Sequence, residues 1–160
     1  MALLIKELRA RKGLTQVEAA KLTGIPLRTY KEYETNPKRE GTLKYEHIRR
    51  VLEEYGRIDE THGVLTQEQI AQACADVFGK YDVSYAILFG SYANGTATEM
   101  SDVDLLVSTT ITGLAFFGLA EELRRTLNKK VDLLDLRQLK NNEELLDNVL
   151  REGIRIYVQK

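Results

Sequence analysis

Two aspartates, Asp102 and Asp104, follow a Gly90-Ser91 pair at a spacing that suits metal-dependent phosphoryl or nucleotidyl transfer. The pair comes directly after the apolar run Tyr85–Phe89, and the aspartates begin a second apolar run. In a β-strand the side chains of residues i and i+2 point to the same face, so the two carboxylates converge on one site. Hard divalent cations such as magnesium prefer oxygen ligands of this kind. The pattern therefore predicts a site for metal-dependent transfer chemistry.

Gly90 and Ser91 are small residues at the point where a buried strand is expected to end. Small side chains let backbone N–H groups approach a phosphate closely, and the start of a helix adds a favourable dipole. The Ser91 hydroxyl is a further donor for a phosphate oxygen. We therefore predict that this turn binds the phosphates of a nucleotide.

A third carboxylate lies downstream, in the run 131–136, which reads as another short strand. Alternation along a strand puts Asp132 on one face and Asp135 on the other. Only one of the two can join Asp102 and Asp104, and the run alone does not choose between them. As an isolated residue, Asp135 is expected to be a surface charge.

The segment 90–107, GSYANGTATEMSDVDLLV, resembles the signature of the minimal nucleotidyltransferases, which are small members of the polymerase-β-like superfamily. The segment 130–133, KVDL, is similar to that family's third-carboxylate strand, so the resemblance favours Asp132 over Asp135. Together these matches cover about residues 66–158. The family usually carries an arginine where this chain has Asn94.

The resemblance implies a set of ligands and partners. It implies two Mg²⁺ ions held by Asp102, Asp104 and Asp132, with ATP as the nucleotide donor and its phosphates bound at Gly90 and Ser91. Such proteins are commonly antitoxins that adenylylate a tyrosine of a HEPN-domain ribonuclease toxin. We therefore expect an antitoxin adenylyltransferase. The alternatives are an impaired antitoxin, or a transcription regulator, that acts by binding alone.

The first third of the chain shows helix–turn–helix spacing. Thr15 and Glu18 form a capping box, and Gly24 suits a turn between two helices. The segment 3–55 resembles the Cro/repressor-type helix-turn-helix family, which implies binding of operator DNA and repression of the protein's own operon. Such domains present the start of a recognition helix to the bases. The candidate DNA-binding residues are Gln16, Leu27, Arg28, Thr29 and Lys31.

Length and charge favour two domains. The chain has 160 residues and a net charge of −1, with a positive excess before residue 63 and a negative excess after it. We predict a helix-turn-helix domain over 1–58 and a nucleotidyltransferase domain over 66–160. The expected assembly is a homodimer or a hetero-oligomer with the toxin. No stretch resembles a membrane span or a signal peptide, so we expect a cytoplasmic protein.

Helices alternate with strands in the second domain, which predicts an α/β (α+β) fold with a small mixed sheet and helices on one face. The opposite face is expected to carry the acids. Two sets of apolar residues at helical spacing are expected in the cores of the two domains. They are Ala19, Leu22 and Ile25 in the first, and Leu114, Phe117, Ala120, Leu123 and Leu127 in the second.

Overall fold

The computed structural model describes residues 4–160, which divide into one unit that ends at Arg57 and another over Ile58–Lys160. The first unit is helical. Thr15 caps its second helix, its side-chain oxygen accepts from the Glu18 N–H, and Gly24 ends that helix with φ at 70°. The helices are α1 (Ile5–Arg11), α2 (Gln16–Thr23), α3 (Leu27–Thr35) and α4 (Leu43–Glu54). The predicted capping box and turn are therefore confirmed.

A small apolar core holds the four helices together. Its fully buried members include Ala19, Tyr30, Ile48 and Leu52. Leu22, in contrast, is 40% exposed, so its predicted place in the core is wrong. It lies near the end of α2, where the helix has turned this side chain away from its neighbours.

The second unit is built on a four-stranded sheet, whose strands are β1 (Val83–Phe89), β2 (Val103–Thr109), β3 (Val131–Asp135) and β4 (Ile154–Val158). Their order in the sheet is β3-β2-β1-β4. β1 pairs antiparallel with β2 and with β4, whereas β2 pairs parallel with β3. The predicted mixed sheet is therefore confirmed. The helices of this unit are α5 (Gln67–Phe78), α6 (Gly90–Asn94), α7 (Leu114–Leu127) and α8 (Glu143–Glu152).

The two long helices, α5 and α7, cover one face of the sheet and bury its main core there. The structure differs from the expectation of helices on one face alone, because α8 and a 3-10 turn over Leu136–Asn141 pack on the opposite face. Besides the acids, this second face carries the apolar residues Phe89, Leu106 and Leu134. These side chains need cover from water, which α8 provides.

The predicted stripe of α7 is only partly buried. Leu123 and Leu127 belong to the core, but Leu114 is 89% exposed and Phe117 is 72% exposed. The prediction is wrong for these two residues because Phe116, and not Leu114 or Phe117, packs against the core in the first turn of α7. None of the helices over residues 4–160 has the length and apolarity that a membrane span requires.

Candidate active site

The turn after β1 is built around a close approach between Gly90 and Asp104. The strand register pairs Phe89 with Asp104, and the chain leaves the strand at Gly90 with φ at +69° to begin α6. A Cβ on residue 90 would stand 2.2 Å from Asp104 Oδ2. Only glycine accommodates both the positive φ and this contact. The neighbouring Ser91 is partly buried, and its hydroxyl has no hydrogen-bond partner within the described chain.

The three predicted acids lie at the same part of the sheet. Asp104 stands directly opposite Asp132 in the parallel register of β2 and β3. Asp102 comes two residues before Asp104, immediately ahead of β2. Asp102 and Asp132 are exposed, whereas Asp104 is partly buried. They therefore lie on the face that also carries Phe89 and Leu106, opposite the main core.

The proximity of these acids raises the pKa of the most buried one. Burial and, to a smaller extent, the charges of Asp132 and Asp102 together raise the pKa of Asp104 to about 6. When neighbouring carboxylates raise the pKa of a carboxyl group, a cation that binds all of them relieves their mutual repulsion.

The donor set fits a divalent cation in type and charge, since hard cations bind oxygen ligands and neutralise closely placed carboxylates. Across residues 4–160, however, no three His, Cys, Asp or Glu side chains are grouped at the spacing that holds an ion. Mutual repulsion keeps unneutralised carboxylates apart. Asp102 and Asp132, which are exposed, have room to turn toward Asp104.

Asp135, the alternative third acid, points away from this group. It pairs with Val107, which belongs to the main core, so it occupies the opposite face of the sheet from Asp132. Asp135 is only 7% exposed, so the expectation of a surface charge is wrong. A hydrogen bond from the Arg137 side chain lowers the pKa of Asp135, and Asp135 also accepts from the Arg137 N–H at 2.9 Å.

Asn94, where the family usually has arginine, closes the turn after α6. Its Oδ1 accepts from the Thr96 N–H at 3.1 Å, and its Nδ2 donates to Glu152 Oε2 at 3.3 Å. Asn94 is exposed and therefore links α6 to the end of α8 at the surface. It supplies no positive charge to the site.

Two residues outside the predicted site, Lys130 and Arg124, place positive charge beside the acids. A cavity of about 320 Å³ is lined by Asp102, Asp132, Val131, Lys130 and Arg124. Lys130 directly precedes the strand of Asp132, so its place beside that acid is predictable from the sequence. Arg124 lies on α7, which no motif connects with the acids.

The candidate DNA-binding residues differ in their surroundings. Arg28 and Lys31 are exposed on α3, and Thr29 is partly buried. Leu27 packs against the helical core. Gln16 is partly buried, and its Nε2 donates to Glu34 Oε2 at 2.8 Å.

Gln16 thereby joins a buried ion pair. Arg9 Nε lies 2.5 Å from Glu34 Oε1, and the Glu34 side chain is only 1% exposed. Burial raises the pKa of Glu34, but hydrogen bonds from Arg9 and Gln16 lower it by more in sum, so the pKa lies below its usual value. This pair fixes the end of α3 against α1 and the start of α2.

Family models match both parts of the chain. The polymerase beta nucleotidyltransferase model matches residues 72–160, and a helix-turn-helix model matches residues 5–60. The first covers more than half of the 160 residues, so the chain belongs to the polymerase beta nucleotidyltransferase family. The predicted family is therefore confirmed.

The chain is also similar to individual proteins and solved structures. The chain is 33% identical over 95 residues to the protein adenylyltransferase MntA of Shewanella oneidensis, an alignment that covers 58% of this chain and 66% of MntA, just under two thirds. A solved putative minimal nucleotidyltransferase is 31% identical, with 58% of this chain and 98% of that chain covered and a TM-score of 0.49. A solved toxin–antitoxin structure with AMP-PNP is 28% identical, with 60% and 76% covered and a TM-score of 0.47.

Proposed function

We propose that this protein is an antitoxin that transfers AMP from ATP to a tyrosine of a HEPN-domain ribonuclease toxin. The proposal rests on the position of Asp104, which lies opposite Asp132 on the neighbouring strand and contacts the turn at Gly90. The adenylyltransferase MntA, to which the chain is similar, supports the choice of reaction. The toxin partner is the one that the sequence resemblance implies.

Each residue of the site has a part in this reaction. The backbone N–H groups at Gly90 and Ser91, with the Ser91 hydroxyl, bind and orient the ATP phosphates. Asp102, Asp104 and Asp132 would hold two Mg²⁺ ions, which neutralise phosphate charge and lower the pKa of an attacking hydroxyl. Asp132 lies on the outer strand, where its carboxylate can accept the proton of the tyrosine hydroxyl. The tyrosine oxygen then bonds to the α-phosphorus, and pyrophosphate leaves.

The cavity beside Asp132 suits the acceptor side of the site. Lys130 and Arg124 line it together with two of the acids, whereas Gly90 lies beyond Asp104 at the end of β1. The nucleotide phosphates and the acceptor therefore approach the acids from opposite sides. This arrangement allows the tyrosine to attack in line with the leaving pyrophosphate.

We further propose that residues 1–58 act as a helix-turn-helix domain that binds operator DNA as a dimer, while residues 66–160 carry the transferase site. Arg28 and Lys31, which are exposed on α3, would contact bases and phosphates. Gln16, Leu27 and Thr29 would support that surface from the helix starts. Repression of the protein's own operon follows from such binding.

The transfer is tested with labelled ATP, Mg²⁺ and the HEPN protein. We expect label on the toxin with the wild-type chain and none with the Asp102→Ala, Asp104→Ala double variant. A Glu144→Ala, Asp147→Ala double variant removes the same charge from exposed positions on α8 and should label normally. Persistent labelling by the first variant, with its fold intact, would refute the assigned site.

The second candidate function is neutralisation by binding alone, which the neutral Asn94 favours, because it places no cation in the turn beside α6. Neutralisation of the toxin by the Asp102→Ala, Asp104→Ala variant without ATP would support this function. A requirement for ATP in the wild type, together with loss of neutralisation in the variant, would support the transferase.

A further inference from the structure

A lysine with no exposed surface stands behind the acids. Lys129 is 0% exposed, and its Nζ donates to the Glu99 carbonyl at 2.7 Å and to the His62 carbonyl at 3.2 Å. No carboxylate lies within ion-pair distance of this ammonium in the part of the chain that the structure describes. The buried charge is therefore satisfied by backbone carbonyls alone.

A charge buried in this way carries a cost that an apolar side chain would avoid. A methionine would fill much the same volume, but it would not hold the Glu99 carbonyl in place. The contribution of the lysine therefore lies in what its hydrogen bonds fix rather than in its packing.

Those hydrogen bonds join the two segments that carry the exposed acids. Glu99 comes three residues before Asp102, and Lys129 comes three residues before Asp132. Between these anchors, the Val103 N–H donates to the Lys130 carbonyl at 2.9 Å. The separation of the two acids is thus set at one end by the Lys129 side chain and at the other by the β2–β3 ladder.

Two neighbouring contacts keep the lysine in position. Asn128 has a φ of 57°, a left-handed conformation that is uncommon outside glycine, and its Nδ2 donates to the Ile58 carbonyl at 3.0 Å. The Gly63 N–H donates to Glu99 Oε1 at 3.3 Å. These contacts tie Asn128 and the Glu99 side chain to residues 58 and 63, which brings the lysine and the carbonyl that it binds together.

We propose that Lys129 is a positioning residue that holds the segment of Asp102 beside that of Asp132, so that both carboxylates can turn toward one divalent cation. This inference rests on the proposed function, since that function assigns the cation to these acids. Lys129 itself touches neither substrate nor metal, and it acts through the Glu99 carbonyl.

The test asks whether the loss of Lys129 strengthens or weakens cation binding. If Lys129 acted only through its charge, Lys129→Met would strengthen cation binding, because a positive charge near three carboxylates would be gone. If it positions Asp102, the same variant weakens Mn²⁺ binding by about tenfold, as loss of a supporting contact around metal ligands does. Lys130→Met removes an exposed ammonium next in sequence, and it should leave Mn²⁺ affinity unchanged or increase it.

Mn²⁺ affinity is measured on the full chain without ATP or toxin, by electron paramagnetic resonance of the free ion. Hydrogen exchange gives a second readout, because the amides of residues 100–102 should exchange faster in Lys129→Met than in Lys130→Met. If Lys129→Met does not fold, Lys129→Gln serves, since it keeps an amide donor but is too short to span the same distance. It should show the same loss.

The outcomes separate the two hypotheses. Wild-type chain that binds Mn²⁺, with a Lys129 variant that binds as tightly or more tightly, would overturn the inference and leave the proposed transferase standing. Wild-type chain that binds no Mn²⁺ would overturn both. Weaker binding in the Lys129 variant with unchanged or tighter binding in Lys130→Met supports the positioning role, whatever the toxin assay shows.

Discussion

Gly90 and Asp104 are in such close contact that a Cβ on residue 90 would stand 2.2 Å from Asp104 Oδ2. The turn that would bind phosphate and the most buried of the three acids are thus one packed unit. A change at either residue must displace the other.

Gly90→Ala should therefore reduce the rate of AMP transfer far more than backbone strain at residue 90 alone explains. The added methyl pushes Asp104 out of place, and a displacement of about 1 Å at reacting groups costs roughly a hundredfold in rate. Gly95→Ala is the matched control, because Gly95 also has a positive φ of +79° but meets nothing within 4 Å. Each variant should lose about 1 kcal/mol of stability from backbone strain. Equal transfer rates in the two variants, measured as toxin labelling, would contradict the contact.

Asp104→Asn should stabilise the metal-free protein at pH 8. The pKa of Asp104 is raised to about 6, chiefly by burial, so the folded state binds this proton more tightly than the unfolded chain does. Ionised Asp104 therefore costs stability, and the cost grows as pH rises from about 4 to 6. After allowance for solvent screening we expect a gain of roughly 1 kcal/mol.

Urea unfolding at pH 4 and pH 8 measures this effect, which should be present only at the higher pH. Asp76→Asn, at an exposed position on α5, is the control and should change little. Mg²⁺ should reverse the order at pH 8, because it stabilises the wild type but not Asp104→Asn. A variant less stable than the wild type without metal would show that Asp104 has a favourable partner.

Local signals in the sequence predict the elements well. The capping box of Thr15 and Glu18 and the helix end at Gly24 are both predicted from neighbouring residues. Such signals succeed because the side chain and the backbone group that it satisfies are a few residues apart. The spacing of Asp102 and Asp104 belongs to the same class.

Features that depend on distant parts of the chain were not predictable in this way. Phe117 fits the helical stripe, but Phe116 is the residue of that turn that packs on the core, so the Phe117 side chain is exposed. Lys129 is an ordinary surface residue by type, and its burial depends on Glu99 and His62. The Gly90–Asp104 contact likewise follows from the pairing of β1 with β2, which no local pattern specifies.

Arg9→Met should destabilise the helical unit by about 3 kcal/mol, because it leaves the buried Glu34 carboxylate without its main partner. Arg39→Met is the matched control. It breaks the Arg39–Glu32 pair, whose side chains are 42% and 46% exposed, and it should cost less than about 1 kcal/mol. Hydrogen exchange of α1–α4 amides in the full chain measures both. Equal losses would mean that burial of the pair has no energetic weight.

Low pH should weaken the Arg9–Glu34 ion pair and so destabilise the helical unit. The pKa of Glu34 lies below its usual value, so the stability that this group contributes is present above about pH 4.5 and is lost as pH falls through the folded pKa. The wild-type helical unit should therefore weaken below pH 4.5, and the Arg9→Met variant should weaken less steeply. A parallel decline in the two proteins would argue against the pair as the source.

Arg28 and Lys31 should separate base reading from phosphate binding in the proposed operator complex. Both are exposed on α3, but only arginine has the planar fork that reads guanine through two hydrogen bonds. Arg28→Ala should cost about 1–3 kcal/mol on the operator and little on unrelated DNA. Lys31→Ala should weaken binding to both and reduce the salt dependence by about one counterion.

Arg50→Ala is the control for these two variants, because it removes the same charge from an exposed position on α4 rather than α3. The affinity of Arg50→Ala for operator DNA, and the salt dependence of that affinity, should match those of the wild type. Both are measured by fluorescence anisotropy over a range of salt concentrations. If all three variants lose affinity alike on operator and unrelated DNA, general positive charge rather than α3 governs binding. The Arg28 side chain would then read no base, because the loss would not depend on sequence.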